Sequence, residues 1–198
     1  AMTSMIDFFF DFSSAYSYVG QHRIRMLEAD HRAKVSWKPI CLGAIFQQRG
    51  HTPEDLNSVK GSYVKKDVEY SAKESHLPYQ WPSPFPFNSI YAARLFYYLE
   101  NSSSKEAIVW ARTVFNASYK EGHDCSNKEV LLKIGESLGY DPEDMTRAIN
   151  DPEIKQKLMN VTDTAFERGV FGAPSFILDG ELFWGAVRLE RLLNRLAT

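Results

Sequence analysis

The chain has 198 residues, 44% of them hydrophobic and 24% charged, which is the composition of a folded domain and excludes a disordered segment. Lys and Arg number 23 against 25 Asp and Glu, a net charge of -2, so there is no basic surplus for wrapping a nucleic-acid backbone. No apolar run approaches the roughly 18 residues that span a bilayer, and Asp7 and Asp11 interrupt the apolar stretch Ile6–Phe12, which argues against a secretory leader. A soluble, cytoplasmic protein with no membrane or nucleic-acid partner is the expectation.

Met5–Phe10 is short and rich in β-preferring aromatics and reads as a buried strand. A serine-containing turn, Asp11–Ser14, then leads into a stretch with Tyr18, Val19, His22, Met26 and Leu27 at helical spacing, ending near Asp30. Val35–Ile40 alternates and predicts a second strand, so the chain opens with a right-handed βαβ unit. From Thr52 to Gly169 the pattern is helical. Helices are predicted over Asp55–Ser75, Asn88–Leu99 (with Asn88 or Ser89 as cap), Ser104–Tyr119 and Lys128–Leu138, and after Asp141-Pro142 and Asp151-Pro152. The strip Leu77–Asn88, with Pro78, Pro82, Pro84 and Pro86, reads as an extended loop. Strand character returns in Ser175–Leu178 and Glu181–Trp184 around the turn Asp179-Gly180, a hairpin signal, and a helix over Arg188–Leu196 follows.

The resulting class is α/β. With the helical segment removed, βαβ followed by ββα is the thioredoxin-like arrangement. Residues 5–45 and 170–198 would form one discontinuous domain, and 46–169 an all-helical insertion.

In such a fold the reactive position lies where the first strand meets the first helix, because free N–H groups and the helix dipole favour an anion there. That place reads Ser14-Ala15-Tyr16-Ser17. Two serines exclude disulfide chemistry by the chain's own thiols at this position, but a hydroxyl can donate a hydrogen bond to the thiolate of another molecule. The simpler reading, Ser14 as an N-cap, stays open beside it. Phe171-Gly172-Ala173-Pro174-Ser175 directly precedes the third strand. An X-Pro bond is trans by default; the position of Pro174 between the insert and the hairpin predicts cis instead. A cis turn there presents the backbone of Ala173 to an extended peptide. No metal site is expected. Cys41 and Cys125 lie far apart, and His22, His31, His51, His76 and His123 show no zinc-ligand spacing.

Asp11-Phe12-Ser13-Ser14-Ala15-Tyr16-Ser17-Tyr18, Phe171-Gly172-Ala173-Pro174 and Glu181-Leu182-Phe183-Trp184-Gly185, with the Trp81–Asn88 loop and Lys60-Gly61, together resemble the 2-hydroxychromene-2-carboxylate isomerase family. That family is similar to kappa-class glutathione transferases and DsbA-like oxidoreductases. The resemblance implies glutathione as cofactor, a small aromatic substrate and a homodimer. It implies isomerisation of 2-hydroxychromene-2-carboxylate to trans-o-hydroxybenzylidenepyruvate in the breakdown of naphthalene-type aromatics. A kappa-like transferase and a non-catalytic binding module are the alternatives. By the same resemblance Ser14 hydrogen-bonds the glutathione sulfur. Ala173 and Pro174 hold the cysteinyl unit, and Lys60 stands near the glycyl carboxylate unless it is a solvated helix lysine. Asn88 is a substrate-side polar group or a cap. Of the aromatic set Phe8, Phe9, Phe10, Phe12, Tyr16 and Tyr18, most members are core by alternation and one or two near the helix start, Tyr16 among them, can stack on a bicyclic substrate. Trp184 is read first as a buried hairpin residue and second as a pocket wall. The chain departs from the family at Ala15, where proline is usual, and at Ala186-Val187, where a small polar residue and Asp would grip the γ-glutamyl ammonium group.

Overall fold

Three consecutive phenylalanines, Phe8, Phe9 and Phe10, sit on one strand without exposure because both faces of that strand are covered. The computed structural model describes residues 4–29, 32–186 and 189–197. Its element order is β1 (Ser4–Phe10), α1 (Ala15–Glu28), β2 (Ala33–Pro39), α2 (Leu42–Gln48), α3 (Val59–Glu74), α4 (Ile90–Glu100), α5 (Ser104–Tyr119), α6 (Lys128–Ser137), α7 (Pro142–Ile149), α8 (Pro152–Glu167), β3 (Ser175–Leu178), β4 (Glu181–Trp184) and α9 (Leu189–Ala197). The sheet runs β2-β1-β3-β4. β1 is parallel to β2, with Phe8 opposite Trp37, and antiparallel to β3, with Phe8 opposite Phe176.

On one face Phe8 stacks on Phe176 at 5.0 Å and meets Trp37 edge-on at 5.1 Å, under α1, α4 and α5. Phe9 and Ile177 point to the other face and pack with Ile45 of α2 and Ala165 of α8. The larger core is shared between the sheet and the inserted helices. We propose the division into a discontinuous thioredoxin-like unit and an insertion as a reading of strand order; α2 runs across residue 46, where that insertion would begin.

Local chemistry explains most helix starts. Asp141 and Asp151 each accept a backbone N–H at the head of α7 and α8, with Pro at the first helical position. α3 begins at Val59, later than the sequence pattern predicts, because Ser58 caps it by accepting from the Gly61 N–H at 2.9 Å. The segment before the cap folds back so closely that a Cβ on Gly61 would stand 1.9 Å from the Asp55 carbonyl oxygen. Helix α2 is not anticipated by the sequence pattern: it is short, starts without a side-chain cap and buries only Ile45. The Pro-rich strip is irregular, as expected. Ser83–Pro84 and Phe85–Pro86 are cis there, which the sequence does not signal. The strip is pinned by Tyr18 Oη donating to the Pro78 carbonyl at 2.6 Å and by the Gln80 N–H donating to the Tyr119 carbonyl at 2.7 Å. Among the described residues no helix is long and apolar enough to cross a membrane.

His22 on α1 supplies one pH test. Burial first, then Arg25, Arg112 and Arg23, hold its pKa below the ordinary value. The unfolded chain therefore takes up this proton at higher pH than the folded chain. The His22 contribution to stability is full above about pH 6.5 and falls as pH drops toward the folded value. A His22→Gln variant should lose less stability than wild type between neutral and mildly acid pH in denaturant titrations; parallel curves would remove His22 as a cause.

Candidate active site

The turn between β1 and α1 is closed by the Ser14 N–H donating to the Asp11 carbonyl at 2.9 Å. Ser14 then takes extended angles (φ -97°, ψ 114°), and its Oγ accepts from the Ser17 N–H at 3.2 Å. It is therefore an N-cap. Its hydroxyl also reaches across the molecule and donates to the Ala173 carbonyl at 3.2 Å. The first turn of α1 contains no acidic residue; the Asp11 carboxylate lies ahead of the cap, accepting from the Ser13 N–H at 2.8 Å.

The Ala173–Pro174 peptide bond is cis, as its position in the sequence predicts. The Pro174 ring lies against α1, where a Cβ on Gly20 would stand 3.0 Å from its Cγ and 3.7 Å from Ala186 Cα. The Gly185 N–H donates to the Pro174 carbonyl at 2.9 Å, tying the end of β4 to the same loop. Ser14 and Ala173 thus meet at the head of α1, and Pro174 and Ala186 pack on the same helix at Gly20. Val187 lies outside the described residues.

A cleft of about 480 Å³ opens beside Ser14, with Ser13, Cys41, Leu42, Phe87 and Asn88 among its walls. A groove of similar size, about 500 Å³, lies along β2 near Trp37 and Arg112 and shares no residue with it. The second groove holds none of the predicted site residues, so the Ser14 cleft is the candidate site. Asn88 lines the cleft, and from the position just before Ser89, the cap residue of α4, its Oδ1 accepts from the Ile90 N–H at 3.0 Å.

Three predicted residues stand elsewhere. Tyr16 turns toward α3, where its hydroxyl donates to Asp67 Oδ2 at 2.5 Å, and is not among the cleft walls. Burial and the Asp67 carboxylate both push its pKa above the ordinary phenol value. Lys60 is 78% exposed and pairs with Glu54 at 3.5 Å; Pro53, beside that glutamate, lines the cleft, but Lys60 does not. Trp184 is 51% exposed, contrary to the buried hairpin reading. β4 is an edge strand whose Phe183 points inward, which leaves Trp184 outward against Gly172 and tilted on Phe171 at 5.0 Å.

Two wall residues were not singled out by sequence. Cys41 follows β2, and burial, then the negative charge of Asp11, push its thiol up to about 11, so it stays protonated near neutrality. Asp11 is almost fully buried at the back of the cleft. Its signal was an acid inside an aromatic run, three residues before Ser14. Among the described residues no group of three or more metal-ligating side chains converges.

Comparison with known proteins agrees with this fold. A 2-hydroxychromene-2-carboxylate isomerase of Pseudomonas putida is 29% identical over 191 residues, covering 95% of this chain and 92% of its own length. Human glutathione S-transferase kappa 1 is 24% identical over 96% of this chain and 90% of its own. A solved structure of a 2-hydroxychromene-2-carboxylate isomerase superposes with a TM-score of 0.87 at 27% identity, covering 98% of this chain and 94% of that one. The family model of the DsbA-like thioredoxin domain matches residues 5–197, so the chain belongs to the DsbA-like thioredoxin family.

Proposed function

We propose that the chain is a glutathione-dependent isomerase that interconverts 2-hydroxychromene-2-carboxylate and trans-o-hydroxybenzylidenepyruvate in the cytoplasmic breakdown of naphthalene-type aromatics. One observation carries the reading: a serine hydroxyl caps α1 opposite a cis-proline loop, beside a cleft. The names of the isomerase relatives support the substrate class.

The donor set fits glutathione, an extended tripeptide with a thiol. Ser14 offers a hydroxyl, and Ala15 and Tyr16 at the start of α1 offer N–H groups that no intrahelical carbonyl can take. The backbone at Ala173-Pro174 offers pairing to a peptide strand. Ala186 and Val187 would complete the proposed grip through their backbone, with no carboxylate side chain at either position, and Lys60 would have to leave its pairing with Glu54 to join it. When bound, glutathione supplies a thiolate that adds reversibly to a conjugated carbon and is returned unchanged. The part of the protein is to hold the thiol in its ionised form, below the free value of about 8.5. The Ser14 hydroxyl proton now given to the Ala173 carbonyl is the one available to the sulfur. Phe87 and Leu42 supply apolar walls, and Asn88 a neutral polar group on the substrate side.

A homodimer belongs to the same proposal. Val59, Tyr63 and Tyr70, exposed by 93, 71 and 62%, lie along one side of α3 with Lys66 between them and offer it a mixed, largely aromatic face.

The deciding experiment is turnover of 2-hydroxychromene-2-carboxylate with glutathione well below the substrate concentration. Full equilibration with glutathione unconsumed is the expected result. One-for-one consumption into a stable conjugate would install the kappa-like transferase reading, which the similarity to kappa-class relatives supports. No turnover, with no thiolate absorbance near neutral pH, would install the binding module.

A further inference from the structure

Asp11 is 5% exposed, and among the described residues no basic side chain forms an ion pair with it. Burial raises its pKa, and hydrogen bonds from Ser89, Ser13 and Leu42 oppose that rise. The three donors come from three different elements. Oδ1 accepts from the Ser13 N–H at 2.8 Å and from the Ser89 hydroxyl at 2.6 Å; Oδ2 accepts from the Leu42 N–H at 2.9 Å. Ser13 belongs to the turn that presents Ser14, Leu42 is the first residue of α2, and Ser89 heads α4 directly after Asn88. A second strut runs in parallel, with the Phe87 N–H donating to Ser13 Oγ at 3.0 Å.

These donors mark the walls of the cleft. Ser89 could have capped α4 with its hydroxyl; it makes no cap bond and spends that proton on Asp11 instead. Only a carboxylate can accept from all three. An asparagine of the same shape has one acceptor oxygen, and its NH₂ would face at least one N–H or O–H donor.

We propose that Asp11 is the positioning residue of the site, fixing through Ser13, Leu42 and Ser89 the distance between the Ser14 hydroxyl and the Asn88 wall across the cleft. The proposal rests on the reading of the Ser14 cleft as the glutathione-dependent site. The neighbouring titratable groups are Cys41 from the α2 side and Tyr119 from α5, both raised by burial and neutral near pH 7. Asp11 is the neighbour whose charge is at issue there.

The test uses Ser89→Ala, which removes one of the three ties, and Asp11→Asn, which disturbs all of them. Ser89→Ala should raise KM for the aromatic substrate about tenfold with kcat changed less, and leave the pH midpoint of the glutathione thiolate band at its wild-type value. Asp11→Asn should raise KM and also move that midpoint, because the turn holding Ser14 is loosened. The two substitutions should be less than additive in the double variant, since both act through the same carboxylate. Wild-type KM and midpoint in both variants, with only a lower Tm, would overturn the proposal and leave Asp11 a structural residue. A ligand-free readout keeps it separable from the glutathione reading. Amide exchange at Ser13 and Leu42 should accelerate together at least tenfold in Asp11→Asn while Phe8 in β1 is unchanged. If wild type shows no thiolate band, the glutathione reading fails and amide exchange alone decides: a uniform change across all amides sinks the positioning role, and a local paired change sustains it. Should Asp11→Asn fail to fold, Ser89→Ala carries both arms, with faster exchange at the head of α4 and the raised KM as the supporting result and no change in either as the refuting one.

Discussion

Replacing Ser14 with Ala is expected to lower kcat by about 10²–10³-fold, the usual cost of losing one hydrogen-bond donor to a developing or stabilised anion, while the protein stays folded. The substitution also removes an N-cap, because Ser14 Oγ accepts from the Ser17 N–H. That costs about 1 kcal/mol, or a Tm fall of about 2–4 °C for a chain of this size. Two further substitutions separate the roles. Asp caps as well as Ser, so Ser14→Asp should hold Tm near wild type, yet its negative charge beside the thiolate should erase the thiolate band at neutral pH. Ser14→Thr keeps both hydroxyl and cap and should retain part of the activity. If Ser14→Asp is as active as wild type, Ser14 is a cap and nothing more.

The second large effect is expected far from any polar chemistry, at Gly20. A leucine there would meet the Pro174 ring and Ala186, since even a Cβ stands 3.0 Å from Pro174 Cγ. Forcing that contact should cost about 3 kcal/mol, a Tm fall of about 6–12 °C. It should also separate α1 from the cis-proline loop and so part Ser14 from Ala173, which meet at 3.2 Å. A displacement of about 1 Å at a reacting centre is worth about 10²-fold in rate. Gly20→Ala is the control. Its gain in helix propensity, up to about 1 kcal/mol, and the squeeze on Pro174 roughly offset each other, so Tm should barely move. Thermal melts and kcat/KM on both variants check this; a Gly20→Leu protein with wild-type Tm would mean that the loop yields freely.

Where local chemistry decides an element, it was legible. Asp179 and Gly180 both take positive φ, 51° and 79°, as a two-residue hairpin turn requires. The Asp-Pro pairs open α7 and α8 where expected. Ser14 falls at the head of α1 as expected because strand, turn and helix are each local signals. What failed depends on distant partners. α2 is a helix because Ile45 finds Phe9 and Ala165, residues remote in sequence. Trp184 is exposed because nothing beyond Gly172 and Phe171 covers the end of an edge strand. Tyr16 leaves the cleft because Asp67, on another helix, takes its hydroxyl. The node at Asp11 was invisible for the same reason: its donors are at positions 13, 42 and 89, and only the fold brings them to one carboxylate.

The central strand has a consequence for how the chain is made. β1 finds its second neighbour only when β3 exists, since Phe8 pairs with Phe176. At roughly 5–20 residues per second on a ribosome, about ten seconds or more pass between the emergence of the two strands. During that wait β1 has β2 on one edge, and its other edge, carrying Phe8, Phe9 and Phe10, is open to any passing strand. The inserted helices form from local contacts in the meantime and cover one face of these phenylalanines, but not the open edge. Nascent chains stalled before residue 175 should therefore be the species that chaperones hold and that aggregates when they are absent.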